Sequence, residues 1–472
     1  MLSALGTLLT TLLELAAVFF VIKAVRSART PQGALGWSVF LLAAPYLAIP
    51  AYLYLGHARF PGYVSRRRAS SALVRKLDQL RHYHRESATD DPNGPLGRVV
   101  AFEQMARMPL VSGNAAELLI DGEATFEAIF RAIDRARRYV LIAFYIIRDD
   151  AVGQELKRRV VAKAAQGVEV RILYDALGSS ALSGSYLEEL RAADVAIENF
   201  HHLRRPHSRF QRNFRNHRKI VVVDGTVAFV GGHNVGDEYL GRSPRFGHWR
   251  DTQVKLEGPV VAEVQLVFAE DWHWATDESL DLDWNPERAA PNVDALVVAP
   301  GPADAMETGS LFFCNAIGSA RRRIWIASPY FVPDVDILSA LKLAALRGVD
   351  VRILVADRRD HLLVWLAAFA YFDEVRGAGI TVLRYTNGFL HQKVLLVDDD
   401  LAAVGSVNLD NRSCRLNFEI AAILFDPRVA ARVQDMLEAD FRHSYPYETP
   451  LDMTPWWLRY GAPLARLFAP IL

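Results

Sequence analysis

At 472 residues the chain is too long for one ordinary domain and long enough for two with substantial cores. Lysine plus arginine equals aspartate plus glutamate, 54 each, so no global charge marks a binder of nucleic acid or another polyanion. A hydrophobic fraction of 51% points to membrane contact, and the two cysteines, Cys314 and Cys414, exclude a disulfide scaffold and a cysteine-rich zinc site.

The first apolar run covers about 2–25, interrupted only by Ser3, three threonines, Glu14 and Lys23. A second covers about 34–55 and carries Trp37, Tyr46, Tyr52 and Tyr54, with Pro45 and Pro50 as tolerable kinks. Each is long enough to cross a bilayer, and the short connector predicts a transmembrane helical hairpin within 1–58. A cleaved signal peptide fits poorly, because no basic segment precedes the first run and a second span comes at once. Glu14 is expected to pack against a partner helix or subunit. Arg59, Arg66, Arg67, Arg68, Arg75 and Lys76 outnumber Lys23, Arg26 and Arg29 at the connector, which places the next domain on the cytoplasmic side. The basic cluster also suits anionic headgroups. Segment 59–98 closes in a polar Asp/Asn/Gly/Pro linker.

Beyond the linker the chain is duplicated. Ala136-Arg137-Arg138-Tyr139-Val140-Leu141-Ile142-Ala143 returns as Ala320-Arg321-Arg322-Arg323-Ile324-Trp325-Ile326-Ala327, and Gly167 to Leu173 returns as Gly348 to Leu354. Each half reads helix, buried strand, amphipathic helix, strand, loop, motif strand, which predicts two α/β lobes, 99–290 and 291–450. A pseudo-twofold axis between them would bring the motif strands face to face. The tail 451–472, rich in Trp, Leu and Arg, is too short to span a bilayer and suits its interface.

The motif strands carry the chemistry. His217-Arg218-Lys219 and His391-Gln392-Lys393 each precede an apolar strand that ends in Asp224 or Asp398. Equal distances later come Gly231-Gly232-His233-Asn234 and Gly405-Ser406-Val407-Asn408. Alternation sends His and Lys to one face, and the loop returns Asn to the same edge. One imidazole can then attack phosphorus while the other protonates the leaving oxygen. Lys219, Lys393, Asn234, Asn408 and Ser406 would hold the phosphate oxygens. No metal or other cofactor is required. A nucleophilic imidazole needs its second nitrogen fixed, and Asp251 and Glu419, each opening a strand after its motif, are the candidate carboxylates. Asp224 and Asp398 complete the candidate catalytic sets, although at strand ends they are better placed to order turns. The arginines from Arg204 to Arg218 read as a rim that draws in an anion. Cys414 reads as a small buried residue.

Both His-x-Lys-x4-Asp strings, each succeeded by Gly-Gly/Ser-x-Asn, resemble the paired motifs of the phospholipase D superfamily. The hairpin, Gly113-Asn114, Leu118 to Gly122, Trp249-Arg250-Asp251 and Asn417-Phe418-Glu419 narrow the resemblance to its bacterial cardiolipin synthases, over essentially the whole chain. The resemblance implies two α/β/α sandwich lobes sharing one active site, in a multi-pass protein of the bacterial inner membrane. It implies transfer between two phosphatidylglycerol molecules, giving cardiolipin and glycerol, with His217 as nucleophile and His391 as acid/base. The residues themselves leave open which imidazole attacks. Phosphatidylglycerol, other anionic phospholipids and the membrane are the expected partners, and nucleic acid is not. Hydrolysis to phosphatidic acid, or transfer with another donor or alcohol, are the alternatives the same site allows. Gly232, where the family often has Ser, and Glu14 depart from the pattern.

Overall fold

Unbroken runs of Val, Ile, Leu and Ala, without polar alternation, build strands that are buried on both faces. A computed structural model describes residues 2–28, 30–56, 60, 63, 97–201 and 213–472. Within them fifteen strands join into one sheet. In the first lobe the order runs Thr252–Glu257, Val227–Gly231, Ile220–Val223, Tyr139–Phe144, Glu169–Tyr174, Ala196–Asn199. The second lobe repeats it as Ala421–Phe425, Leu401–Gly405, Val394–Val397, Arg323–Ala327, Asp350–Ala356, Thr381–Tyr385, with Ser444–Pro446 added at the outer edge. Val111–Ile120 and Val293–Val298 lie between, antiparallel to each other, and Val111–Ile120 also pairs with Thr252–Glu257. Each lobe therefore has the expected α/β alternation. It also has one more helix–strand pair before the motif strand than the repeat alone indicated, Gly184–Ala192 with Ala196–Asn199 and Leu362–Arg376 with Thr381–Tyr385.

Helices cover the sheet, and several begin at side-chain caps. Asp150, Ser183 and Asp426 accept backbone N–H groups in the first turns of Ala151–Ala164, Gly184–Ala192 and Pro427–Arg442. Helix Gly97–Ala106, first-lobe by sequence position, packs on the second lobe. Phe102 meets Phe312 and Phe425, and Asn315 donates to the Arg98 carbonyl at 3.0 Å.

The N-terminal region differs from two continuous spans. Helix Leu2–Ser27 contains a stretch, Leu8–Ser27, long and apolar enough to cross a membrane. The second run is two helices, Pro31–Ala43 and Pro45–Leu55, because Ala44 before Pro45 leaves helical geometry. Both pack on the first helix around Ala24, Leu41, Ala48 and Tyr52. Glu14 is exposed, so the second run does not cover it. Phe60, four residues past Gly56, is buried among Phe200, Phe214, Trp274 and Phe418. That short connection holds the helices close to the lobes. The juxtamembrane cluster from Arg66 to Lys76, Arg29 and Arg59, residues 87–96 of the linker, and Arg204, Arg205, Arg209 and Arg212 lie outside the described residues.

Two short parallel ribbons cross between the lobes: Arg215–Asn216 with Asn417–Phe418, and Phe389–Leu390 with Trp249–Arg250. Gly388 opens the second ribbon at φ +99°, and a Cβ there would collide with the His248 carbonyl oxygen. Gly388→Ala is therefore expected to cost about 2–4 kcal/mol and to disturb this ribbon. Chemical denaturation compared with turnover per folded molecule checks it.

Candidate active site

The residues just before each motif strand leave the main sheet and bind the other lobe. The His217 N–H donates to the Phe418 carbonyl and the His391 N–H to the Arg250 carbonyl, both at 2.8 Å. Extended backbone then sorts the side chains. His217 with Lys219, and His391 with Lys393, share one face. The residue between them points back to a helix: Arg218 reaches Asp271 at 2.6 Å, and Gln392 reaches Asp440 at 2.6 Å. Arg250 crosses from the first lobe to clamp Asp440 with two bonds, at 2.7 and 2.9 Å.

Asp251 and Glu419 each meet an imidazole, and each meets the one of the opposite lobe. His217 Nδ1 lies 3.0 and 2.9 Å from the two Glu419 oxygens, and His391 Nδ1 lies 2.7 Å from Asp251 Oδ2. The strands that Asp251 and Glu419 precede are one strand removed from the motif strands, with Val227–Gly231 and Leu401–Gly405 intervening. With Nδ1 taken, Nε2 of each ring is left for chemistry. Tyr145 packs edge-on against His217 at 5.0 Å, and Trp249 lies 5.1 Å from His391.

The electrostatics join the two halves into one site. Burial lowers both imidazoles, and both lysines push them further down; His391 falls to about 4. Lys219 is pushed well below its usual range, and Lys393 to about 8, again chiefly by burial. Burial alone would raise Asp251 and Glu419. His233, His391 and Lys393 hold the first below the ordinary carboxylate range, and His217 and Lys219 hold the second there. The lysine ammonium groups donate to the carbonyls of His217, at 2.5 Å, and His391.

For Asp224 and Asp398 the turn role prevails over the catalytic one, and the assignment of Ser406 changes. Asp224 and Asp398 are not at the cleft. Their carboxylates accept the backbone N–H groups of Arg137, Arg138 and Tyr139, and of Arg321, Arg322 and Arg323, at the opposite end of the strands. They order turns, at φ 52° and 50°. Ser406 is fully buried with its hydroxyl on the Ile420 backbone, so it supports Glu419 and does not offer a phosphate donor. Gly232 consequently loses no such donor, since a Cβ there would collide with the Asp251 carboxylate. Asn234 bonds Ile146 N–H and the Tyr239 hydroxyl, whereas the Asn408 carbonyl oxygen is buried with no partner among the described residues. Among those residues no group of three His, Cys, Asp or Glu side chains is arranged to hold a metal.

The family description "Cardiolipin synthase, PLD-like domain" matches residues 129–272 and 313–441. Cardiolipin synthase A of Pseudomonas aeruginosa (strain LESB58) is 48% identical over 96% of this chain and 93% of its own length. That of Pseudomonas entomophila (strain L48) is 47% identical over 98% and 97%. This chain belongs to the cardiolipin synthase family of phospholipase D-like proteins. The phosphatidylserine synthase structure from Haemophilus influenzae Rd KW20 shares the fold, with TM-score 0.58 at 14% identity, covering 79% of this chain and all of that one.

Within this cardiolipin synthase-family site, sequence reasoning missed Tyr145, Trp249 as a wall of the His391 pocket, and the helix aspartates Asp271 and Asp440. The repeat carried a signal for the last pair, because each lies nineteen residues after the first residue of an equivalent strand, Thr252 or Ala421. Glu419→Gln and Asp251→Asn should each lower kcat about 10²–10⁴-fold, by releasing the ring of the opposite lobe. Asp224→Ala should instead cost about 1–3 kcal/mol of stability, with a far smaller change in kcat. Steady-state kinetics beside denaturation curves separate the two classes. The Lys393 ammonium is present below about pH 8 and lost above it. kcat/KM of the free enzyme should therefore decline as pH rises through that value, and Lys393→Arg should move the decline upward.

Proposed function

We propose that the protein is a phosphatidyltransferase that joins two phosphatidylglycerol molecules into cardiolipin and releases glycerol. The observation that carries this reading is the reciprocal pair of histidines, each with Nδ1 on a carboxylate of the other lobe and Nε2 without a hydrogen bond among the described residues. His217 Nε2 attacks phosphorus as the bond to the glycerol oxygen breaks, and His391 Nε2 supplies that oxygen with a proton. The hydroxyl of a second lipid then gives its proton to His391 and attacks phosphorus, and the P–N bond breaks. Lys219, Lys393 and the amide of Asn408 stabilise the charge on the phosphate oxygens.

The site charge fits this cycle. Where both lysines are protonated, two ammonium groups balance two carboxylates, and burial favours the neutral form of both imidazoles before substrate binds. An anionic phosphodiester entering between them favours protonation of His391, so the acid is charged when the donor is present. Purified protein in phosphatidylglycerol vesicles should yield cardiolipin and glycerol in equal amounts. Phosphatidic acid as the main product would overturn transfer in favour of hydrolysis. A phosphate adduct mapped to His391 in place of His217 would reverse their roles.

The N-terminal helices would hold the protein in the bacterial inner membrane as a multi-pass hairpin, with the lobes cytoplasmic. The tail supports a lipid-facing surface. Helix Trp456–Arg466 lies along helix Leu362–Arg376, with Trp457 stacked on Trp365, and leaves Trp456, Tyr460, Leu464, Leu467 and Phe468 exposed. The helix it covers starts at the loop where Arg358 and Asp360 meet Phe246 and Arg245, beside Trp249 and His391. Trp456→Ser with Leu467→Ser should lower turnover on vesicles more than turnover on detergent-dispersed lipid. Equal losses in both would remove the tail from the interface.

A further inference from the structure

Beside the paired histidines lies a second concentration of positive charge that the transfer of one phosphate does not use. Arg215, two residues before His217 on the same extended ribbon, shares its face with the catalytic ring. Arg412 comes from the other lobe, on helix Asn411–Arg415 just after Asn408. It is held by the Asn213 carbonyl at 2.6 Å, by the Asn213 side chain and by the Ile471 carbonyl. Tyr145 links this pair to the centre. Its ring touches His217 and lies 5.6 Å from the Lys219 ammonium, and the charges of Arg215 and Arg412 both act on its hydroxyl.

Neither arginine forms an ion pair among the described residues. Arg215 is buried, and burial together with the charge of Arg215 lowers Arg412. Asp175 and Asp410 act electrostatically on Arg412, and Asp175 on Arg215, but neither forms an ion pair with these arginines among the described residues. Asp175 accepts the N–H groups of Leu177, Gly178 and Asn216 and faces His201, and Asp410 caps its own helix at Ser413. Two guanidinium groups of like charge, one buried and one half-buried, with no carboxylate bonded to either, leave room for a further anion to join them. Guanidinium groups suit the oxygens of a phosphodiester.

The reaction names that anion. The donor lipid has a single phosphate, which occupies the histidine site. The acceptor attacks through a glycerol hydroxyl, but it carries its own phosphodiester at the other end of that glycerol. In the transfer step this second phosphate must lie one glycerol from the reacting phosphorus. Arg215, two residues before His217 on the same face, and Arg412, held by Asn213 beside it, stand next to the His217 half of the site.

We propose that Arg215 and Arg412 form an acceptor subsite that binds the phosphodiester of the second lipid while its hydroxyl attacks the phosphohistidine. The subsite rests on the transfer reading above and deepens it, because it separates an anionic lipid acceptor from water and from neutral alcohols.

Full-length protein in phosphatidylglycerol vesicles containing ethanol tests this, with cardiolipin, phosphatidylethanol and phosphatidic acid measured together. Arg412→Gln and Arg215→Gln should each lower the ratio of cardiolipin to phosphatidylethanol at least about fivefold relative to wild type. Arg412→Lys, which keeps the charge, should recover much of that ratio and covers a Gln variant that does not fold. Inorganic phosphate should inhibit cardiolipin formation more than phosphatidylethanol formation in wild type, and lose that preference in the Gln variants. Cardiolipin and phosphatidylethanol falling in proportion, or a Lys variant with the same ratio as Gln, would overturn the subsite. Wild-type protein that releases only phosphatidic acid would instead refute transfer itself.

Discussion

Each motif imidazole is held by a carboxylate from the lobe that does not contain it, His217 by Glu419 and His391 by Asp251. The active geometry therefore exists only when the lobes are docked, and the rest of the fold enforces that docking. The ribbon at Asn417–Phe418 carries Glu419 to His217, and the ribbon at Trp249–Arg250 carries Asp251 to His391. Arg250 ties the second ribbon to Asp440 on the far side, through a buried pair that would leave an uncompensated charge if either partner were lost. Strand Val111–Ile120 extends the sheet through the boundary, so the lobes share one set of backbone hydrogen bonds as well as one core.

Burial sets the chemistry of the site as much as the choice of residues does. Two lysines and two histidines out of water repel one another, and all four are shifted toward their neutral forms. Such a site is prepared for an anion and strengthens each contact to it, because little solvent competes. The same dryness bears on the fate of the phosphohistidine, since transfer prevails only where a lipid hydroxyl reaches phosphorus before water does. The apolar wall of Trp249, Phe246 and Phe389 beside His391 suits that requirement.

Attachment to the membrane and catalysis meet in the aromatic cluster around Phe60. Its ring packs on Phe418, the residue before Glu419, and Tyr63 donates to Asp271, the partner of Arg218. The segment that leaves the N-terminal helices is thus seated directly behind the His217 half of the site. Its tether is too short to let the cleft drift far from those helices.

The sequence by itself determined what depends on local periodicity and repetition. The buried runs gave the motif strands, the matched segments gave two α/β lobes, and the equal spacing of His and Lys gave an equivalent pair on each motif strand. The turn role of Asp224 and Asp398 was legible too, since an acid at a strand end has backbone N–H groups within reach. Which lobe each carboxylate serves was not legible, because Asp251 and Glu419 stand in equivalent places and spacing along one chain is silent about exchange across a pseudo-twofold axis. The same limit hid the Arg215–Arg412 pair and the docking of Gly97–Ala106 on the second lobe, whereas at Pro45 the sequence showed a kink but not a full break at Ala44. Only tertiary structure decided these, because each depends on contacts between residues far apart in the chain, or on a backbone choice at one proline.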